Sequence, residues 1–130
     1  MAWKLDNNRA IYLQIIEEIQ MRIVAGFYQP GSKLPSVREL AADAAVNPNT
    51  MQKALSELEN GGLIITMRTS GRIVTENTAV IQNLRKKIAS EEVKLFLKKM
   101  DQYGFNKQEI TGLIQDSLKG EQHEQHHNGV

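Results

Sequence analysis

The sequence contains no cysteine, few aromatic residues and no long hydrophobic run. Without cysteine the chain has no disulfide framework, no thiolate metal site and no cysteine nucleophile. No apolar stretch approaches the roughly 20 residues that a helix needs to cross a bilayer. Because 41% of the residues are hydrophobic, a core can still form. We therefore expect a cytoplasmic protein with no membrane contact.

An excess of charge of either sign is also missing, because 16 Lys and Arg residues balance 15 Asp and Glu residues. Residues 1–76 hold eight basic and eight acidic side chains, and residues 77–130 hold eight and seven. Net charge therefore does not predict nucleic-acid binding, and any basic surface must be local. The candidates for one shared basic face are Lys33, Arg38, Lys53, Arg68 and Arg72.

Side chains that commonly carry catalysis are scarce in the part of the chain expected to fold. The three histidines, His123, His126 and His127, all lie in residues 120–130, a polar segment that predicts a disordered tail. No glycine-rich phosphate loop and no paired carboxylates beside a cleft can be identified. We predict neither an enzyme nor a cofactor. A solvated tail is favoured over a histidine metal site, since a flexible segment offers the ligands no supporting contacts.

Two short helices joined by a tight turn are predicted between Pro35 and Leu58. Ser36 and Glu39 have the spacing of a capping box, in which each side chain accepts a hydrogen bond from the backbone N–H of the other residue. Asn47 and Pro48 fit the N-cap and the first position of the second helix. Two helices with so short a connection predict a helix-turn-helix.

The second of these helices has a divided surface. Its buried side is predicted by apolar residues at helical spacing, namely Met51, Ala54, Leu55 and Leu58. The side chains left outside are Asn49, Thr50, Gln52, Lys53 and Ser56. Amides can read base edges and hydroxyls can bond phosphates, as a helix in a DNA major groove requires. An ordinary solvated face is the alternative for these residues taken alone.

A helix before this motif and a hairpin after it complete the predicted domain. The segment from Arg9 to Val24 has apolar residues at helical spacing. Residues 63–67 and 72–75 predict two strands, and the turn between them contains Arg68 and Thr69. We call the second helix of the motif the recognition helix, and a hairpin that directly follows such a helix is called a wing. Arginines of a wing can reach a phosphate or the minor groove. The alternative is a hairpin whose two arginines are only solvated, and the sequence of the hairpin alone does not distinguish it from a wing that contacts DNA.

Two further helices are predicted, one over residues 79–100 and one capped by Asn106 and Glu109. Their apolar stripes are larger than two helices can bury alone, so we expect them to pack against a second copy. The residues predicted for dimerisation are Ile81, Leu84, Ile88, Leu95, Ile110, Leu113 and Ile114. The predicted fold is α+β and mainly α, with a DNA-binding unit in residues 1–76, a helical dimerisation unit in 77–119 and a tail in 120–130.

The run from Tyr12 to Val74 resembles the winged helix-turn-helix domain of the GntR family of bacterial transcription regulators. Its most specific part is PGSKLPSVRELA, from Pro30 to Ala41. The recognition helix, Gly62-Leu63-Ile64 and the run from Gly71 to Val74 follow in the family's order. Only about fifty residues remain after the wing, as in the short YtrA-type subfamily, whose tail is a two-helix dimerisation unit.

The resemblance implies DNA contacts at the start of the second helix, in the recognition helix and in the wing. The candidate residues are Ser36, Arg38, Asn47, Pro48, Asn49, Thr50, Gln52, Lys53, Arg68, Thr69 and Gly71. Some positions depart from the family pattern. Ala45 stands where glycine is common, so a positive φ there would cost about 1 kcal/mol. Gln52 replaces a common arginine but can still read adenine.

The function implied is that of a sequence-specific regulator, with repression as the expected effect. A homodimer would bind a two-fold symmetric operator in double-stranded DNA, and the regulated genes would often encode an ABC-type transporter. An unidentified small-molecule effector could occupy a cleft between the domains. The alternative is a winged-helix protein-interaction module that does not bind DNA. A salt series separates the two, because DNA binding weakens steeply with ionic strength.

Overall fold

The computed structural model describes the backbone of residues 2–128 and the side chains of residues 2–121. Within this range the elements are α1 (Ile11–Val24), α2 (Val37–Ala44), α3 (Pro48–Asn60), β1 (Ile64–Met67), β2 (Gly71–Val74), α4 (Thr78–Gln102) and α5 (Lys107–Asn128). The mainly helical α+β fold predicted from the sequence is confirmed. Two compact units divide the chain, the first ending at Lys87 and the second beginning at Ile88.

Side-chain caps fix the two helices of the helix-turn-helix, as predicted. The Ser36 hydroxyl accepts the Glu39 N–H at 3.1 Å, and the Glu39 carboxylate accepts the Ser36 N–H at 3.3 Å. Asn47 caps α3 by accepting the Asn49 N–H at 2.7 Å. Between the helices Ala45 has a φ of 56° and a ψ of 47°, the left-handed conformation that its place in the turn suggested.

The core of the first unit lies where α1, α2, α3 and the hairpin meet. Its largest fully buried side chains are Ile15, Ile19, Ile23, Leu40, Met51, Leu55, Ile64 and Val74. Burying one such side chain contributes about 1.5–3 kcal/mol to the stability of the fold. Since the buried stripe of α3 is held by α1 and α2, the core also determines which side of α3 remains in solvent.

The hairpin is an antiparallel pair in which β2 is held on both sides. Its register partners are Ile64–Val74, Ile65–Ile73, Thr66–Arg72 and Met67–Gly71. On the far side of β2, the Leu34 N–H donates to the Arg72 carbonyl and the Gly31 N–H donates to the Val74 carbonyl, both at 2.9 Å. Gly31 has a φ of 76°, a conformation that side chains other than glycine rarely adopt. Strand β2 is therefore fixed, from Val74 as far as Arg72, to the segment that precedes α2.

The N-terminal segment is tied to α1 by contacts that the sequence pattern did not suggest. The buried Gln14 amide accepts the Asp6 N–H at 2.7 Å and donates to the Asp6 and Arg9 carbonyls at 2.5 and 3.1 Å. The guanidinium of the buried Arg22 lies 4.2 Å from the centre of the Trp3 ring. Trp3 and Leu5 pack against the core. Residues 3–9 are thus a fixed part of the first unit.

The first turns of α4 belong to the core of the first unit. Ile81 is 5% exposed and is part of this core, and Leu84 is half-buried against it. Its side chain has almost no surface left for a second copy, and its assignment to dimerisation stays a prediction. Helical periodicity marked Ile81 as buried but could not show which apolar surface covers it.

The second unit leaves most of its predicted apolar stripe exposed. Asn106 and Glu109 form the expected capping box, with reciprocal hydrogen bonds of 3.0 and 2.9 Å. Ile110 is 6% exposed, because the chain itself already buries it, and its assignment to dimerisation stays a prediction. The large apolar side chains exposed in this unit are Val93, Leu95, Phe96, Leu97, Tyr103, Leu113, Ile114 and Leu118.

Helix α5 continues to Asn128, so it includes most of the segment that was expected to be disordered. Residues 121–128 contain no proline or glycine that would end the helix. The side chains of the three histidines, and residues 129 and 130, lie outside the described part of the chain. Over the described residues, no helix combines the length and the apolar character needed to cross a membrane.

Replacing Ala45 by glycine should stabilise the protein. The left-handed backbone strains alanine but not glycine, and the gain is partly offset by the greater flexibility of unfolded glycine. We expect the free energy of unfolding to rise by about 0.5–1 kcal/mol, measured by urea denaturation. Ala42→Gly is the control, because the same change inside α2 should lower stability by about 1 kcal/mol. Destabilisation by both substitutions would contradict the strain at Ala45.

Candidate nucleic-acid interface

The solvent-facing side of α3 presents a set of polar side chains. Met51 and Ala54 have no exposed surface, whereas Thr50 is half-buried between the two sides of the helix. The predicted contact residues that are exposed here are Asn47, Pro48, Asn49, Gln52 and Lys53. The amides, the hydroxyl and the ammonium group can all form hydrogen bonds outward, as base and phosphate recognition requires.

Two shallow depressions meet at Thr50. One has a volume of about 460 Å³ and is lined by Ile11, Tyr12, Asn49, Thr50 and Lys53. The other, of about 450 Å³, lies between the N-terminal segment and the turn before α3, and its lining includes Trp3 and Asn47. The structure therefore places the N-terminal segment and the start of α1 beside the recognition helix.

Lys53 is held in place by Tyr12, a residue of α1 that was not among the candidate contact residues. The Lys53 ammonium lies 4.0 Å from the centre of the Tyr12 ring. Such a cation–π contact at an exposed site contributes about 0.5–1 kcal/mol. It keeps the charge of Lys53 available at the surface, because a ring, unlike a carboxylate, does not neutralise it. No local sequence pattern predicts this pairing, since it depends on how α1 packs on α3.

A second group of predicted residues lies around a cleft between the start of α2 and the wing. The cleft has a volume of about 510 Å³, and its lining includes Lys33, Ser36, Thr69 and Gly71. Gly71 has a φ of 78°, which its lack of a side chain permits. Arg38 and Arg68 are exposed but do not line this cleft.

Four cations of the expected basic face remain without an acidic partner. They are exposed, and none forms an ion pair with any side chain in residues 2–121; they are Lys33, Arg38, Lys53 and Arg68. Arg72 differs, because its guanidinium is bound to the Glu59 carboxylate at the end of α3. The charge of Arg72 is therefore offset by Glu59, so Arg72 adds less to the basic face than the other four cations.

The Glu59 carboxylate was not singled out from the sequence, although it connects the wing to α3. Its Oε1 accepts the Thr66 hydroxyl at 2.8 Å and also accepts the Arg72 Nε–H. Burial by itself would raise the pKa of Glu59, but the hydrogen bonds from Thr66 and Arg72 and the positive charge of Arg72 lower it below its ordinary value. The ionised carboxylate is thus the form that the folded hairpin favours.

The described side chains contain no cluster of three or more His, Asp or Glu residues suited to a metal ion. The candidate surface of the first unit therefore presents amides, hydroxyls and four cations without an acidic partner among the described side chains, together with one carboxylate–guanidinium pair. Such a surface can bind an anionic polymer and read hydrogen-bonding groups on it.

The lowered pKa of Glu59 predicts a pH-dependent contribution to stability. Because the folded state favours the ionised form, the contribution is present above the ordinary value of 4.5 and is lost as the pH falls through the lowered pKa. At neutral pH we expect Glu59→Gln to cost roughly 0.5–1 kcal/mol of unfolding free energy, and clearly less at acid pH. Urea denaturation at both pH values measures this difference.

Glu57→Gln is the matched control for this measurement. It removes the same charge from the exposed side of the same helix, at a residue that has no described partner on the wing. Its effect should be small and should change little with pH. Equal pH dependence for the two variants would contradict the role assigned to the Glu59 contacts.

Comparisons with known proteins agree on one family. Residues 11–74 match the family described as bacterial regulatory proteins, gntR family. The chain is 37% identical over 117 residues to YhcF of Bacillus subtilis, an HTH-type transcriptional regulator, and the match covers 90% of this chain and 97% of YhcF. It is 49% identical over 67 residues to the transcriptional repressor YtrA of the same organism, covering 52% of each protein.

The fold is likewise that of solved members of the family. A GntR family transcriptional regulator from Listeria monocytogenes superposes with a TM-score of 0.80 at 39% identity, over 86% of this chain and 98% of that protein. The winged helix-turn-helix and the helices that follow it are therefore family features. The chain belongs to the GntR family of bacterial transcription regulators, and its first unit contains the family's DNA-binding domain.

Proposed function

We propose that this protein is a cytoplasmic repressor that binds a two-fold symmetric operator as a homodimer. The observation that carries the proposal is the divided surface of α3. Its apolar side is buried in the core, while its amides, the Lys53 ammonium and the cap at Asn47 face solvent. Two copies of this surface, one from each protomer, would occupy successive major grooves.

Within this proposal the predicted residues take different tasks. Asn49 and Gln52 offer amides that can bond adenine, and Thr50 lies between them at the meeting point of two depressions. Lys53, Ser36 and Arg38 would contact the phosphate backbone. The wing would add Arg68, with Thr69 and Gly71 shaping the tip that approaches the backbone or the minor groove.

Homodimerisation is supported by the apolar surface of the second unit. In a single chain Leu95 is 61% exposed, and Leu113 and Ile114 are 42% and 41% exposed. Isolated apolar side chains are common on protein surfaces, but eight in one small unit are more than a soluble monomer usually leaves uncovered. A second copy with the same surface can cover them in a symmetric interface.

Repression follows from the way such a dimer would act at a promoter, where bound protein excludes the polymerase. The similarity to YtrA, which is named a transcriptional repressor, supports this direction of regulation. The resemblance to the YtrA-type subfamily also supports transporter genes as the regulated set. An effector that changes DNA affinity would complete the regulatory cycle.

Thr50→Ala and Arg38→Ala should each weaken operator binding while the protein stays folded. We expect a loss of roughly tenfold in affinity for each, because one base or phosphate contact is removed. The measurement is fluorescence anisotropy with a duplex that the wild-type protein has selected from a random-sequence library. Circular dichroism melts check that both variants remain folded.

Arg85→Ala is the control, since it removes an exposed arginine from α4 rather than from the candidate surface. A salt series on the wild-type protein tests the competing interaction-module reading, because DNA affinity should fall steeply with salt and Arg38→Ala should reduce the slope by about 1. Wild-type affinity for Thr50→Ala and Arg38→Ala would refute the site assignment. A flat salt series would refute DNA binding as the main activity.

Leu95→Glu should separate the dimer. A carboxylate buried without a partner at an apolar interface is strongly unfavourable, so we expect the dissociation constant of the dimer to rise at least roughly tenfold. Analytical ultracentrifugation over a concentration series measures it. Gln82→Glu is the matched control, because it adds the same carboxylate to an exposed position of α4 outside the apolar set. An unchanged dimer for Leu95→Glu would exclude this surface as the interface.

A further inference from the structure

The wing reaches well beyond the part of the hairpin that the core holds. Ile64 and Val74 are register partners at the base, and both are buried. The strands continue for three more register pairs to Met67–Gly71, and Arg68 follows in the turn. At about 3.4 Å per residue, Arg68 lies roughly 13 Å along the hairpin from its buried base. A swing of roughly ten degrees at the base would therefore move the tip by about 2 Å.

Such a displacement matters for a contact between the tip and DNA. Hydrogen bonds between charged nitrogen and oxygen atoms form at about 2.7–2.9 Å and weaken steeply once they are stretched. The Leu34 N–H already limits the swing of β2, because it donates to the Arg72 carbonyl at 2.9 Å. Strand β1, which leads into Arg68, pairs only with β2 among the described strands. A contact near the tip that holds both strands would keep Arg68 within reach of a fixed phosphate.

Glu59 supplies that contact from the last turn of α3. A single carboxylate oxygen accepts hydrogen bonds from both Thr66 and Arg72. These two residues are register partners, one from each strand, and they form the pair just before the final one at the tip. The carboxylate therefore holds both strands at once, close to the turn, and it does so from the recognition helix itself.

The alternation of the strands explains why this contact is available. Ile64 and Thr66 lie on one face of β1, whereas Ile65 and Met67 lie on the other face and are exposed. The face that carries Thr66 and Arg72 is thus the same one that packs on α3 at its buried end. The side chains of Arg72 and Glu59 are 20% and 28% exposed, so solvent only partly screens the pair.

We propose that Glu59 is a positioning residue for DNA binding, which sets the wing at a fixed angle to the recognition helix so that Arg68 can reach the phosphate backbone. The proposal rests on the DNA-binding function above. Glu59 would then favour DNA binding through the geometry of the wing, although its negative charge repels the phosphates. Arg72, in turn, serves the wing by bonding Glu59 rather than by touching DNA.

A double-mutant cycle with Arg68 tests this assignment. Binding is measured by fluorescence anisotropy on the duplex selected by the wild-type protein, at several salt concentrations. Arg68→Ala and Glu59→Ala should each weaken binding roughly tenfold and reduce the salt slope by about 1. The double variant should bind no more weakly than Arg68→Ala alone, because both changes remove the same contact.

Two further variants separate positioning from charge and from folding. Glu59→Gln keeps an oxygen that can accept from Thr66 and Arg72, so it should restore binding to within about twofold of wild type. Glu57→Ala removes a carboxylate from the same helix without a described wing contact and should not weaken binding. Circular dichroism melts confirm that every variant is folded at the temperature of the assay.

The outcomes distinguish this proposal from the one on which it rests. If the wild-type protein selects no duplex, the DNA-binding function itself fails. If the wild type binds but Glu59→Ala keeps full affinity and the full salt slope, Glu59 has only a structural role and the positioning proposal fails alone. Additive losses in the double variant would likewise overturn it, because Glu59 would then act independently of Arg68.

Discussion

The packing of α3 against the rest of the first unit is the interaction on which the candidate interface depends. Met51, Ala54, Leu55 and Leu58 are buried in a shared core with α1, α2 and the hairpin. Because these four residues recur every three or four positions, they form one stripe along the helix, and its burial leaves the helix a single orientation. The polar side chains between them must then face solvent. The core thus selects the surface, and the caps at Ser36 and Asn47 determine where each helix begins.

The wing adds a second constraint that is polar rather than apolar. At its base the hairpin is held by buried residues, and backbone hydrogen bonds to residues 31–34 hold one edge of β2 from Val74 as far as Arg72. Near its tip it is held by the Glu59 carboxylate through Thr66 and Arg72. Recognition helix and wing are therefore connected at two separate points. A protein that reads one groove with a helix and follows the adjacent backbone with a hairpin benefits from such a fixed geometry.

Local sequence signals predicted the helix-turn-helix well, because caps and turns are decided by neighbouring residues. The capping boxes at Ser36 and Asn106, the cap at Asn47 and the left-handed Ala45 all depend on contacts within a few residues. Contacts between distant segments were the ones missed. Lys53 with Tyr12 and Glu59 with Arg72 require the packed fold to bring the partners together.

The same limit applies to the predicted dimerisation set. Helical periodicity identified the apolar stripes of α4 and α5, but it could not distinguish a side chain that the chain itself covers from one left exposed. Ile81 and Ile110 belong to the covered class, whereas Leu95, Leu113 and Ile114 belong to the exposed class. Which of these side chains is covered by a segment distant in the sequence can be read only from the three-dimensional structure.

The central claim is that the solvent-facing side of α3 and the tip of the wing bind DNA. Its most direct test is a titration of the isotope-labelled protein with the selected duplex, followed by backbone amide NMR. The account predicts that the largest changes occur over residues 47–53 and 68–71, with little change on the exposed face of α5. Changes confined to α4 and α5, with the amides of α3 unaffected, would contradict it.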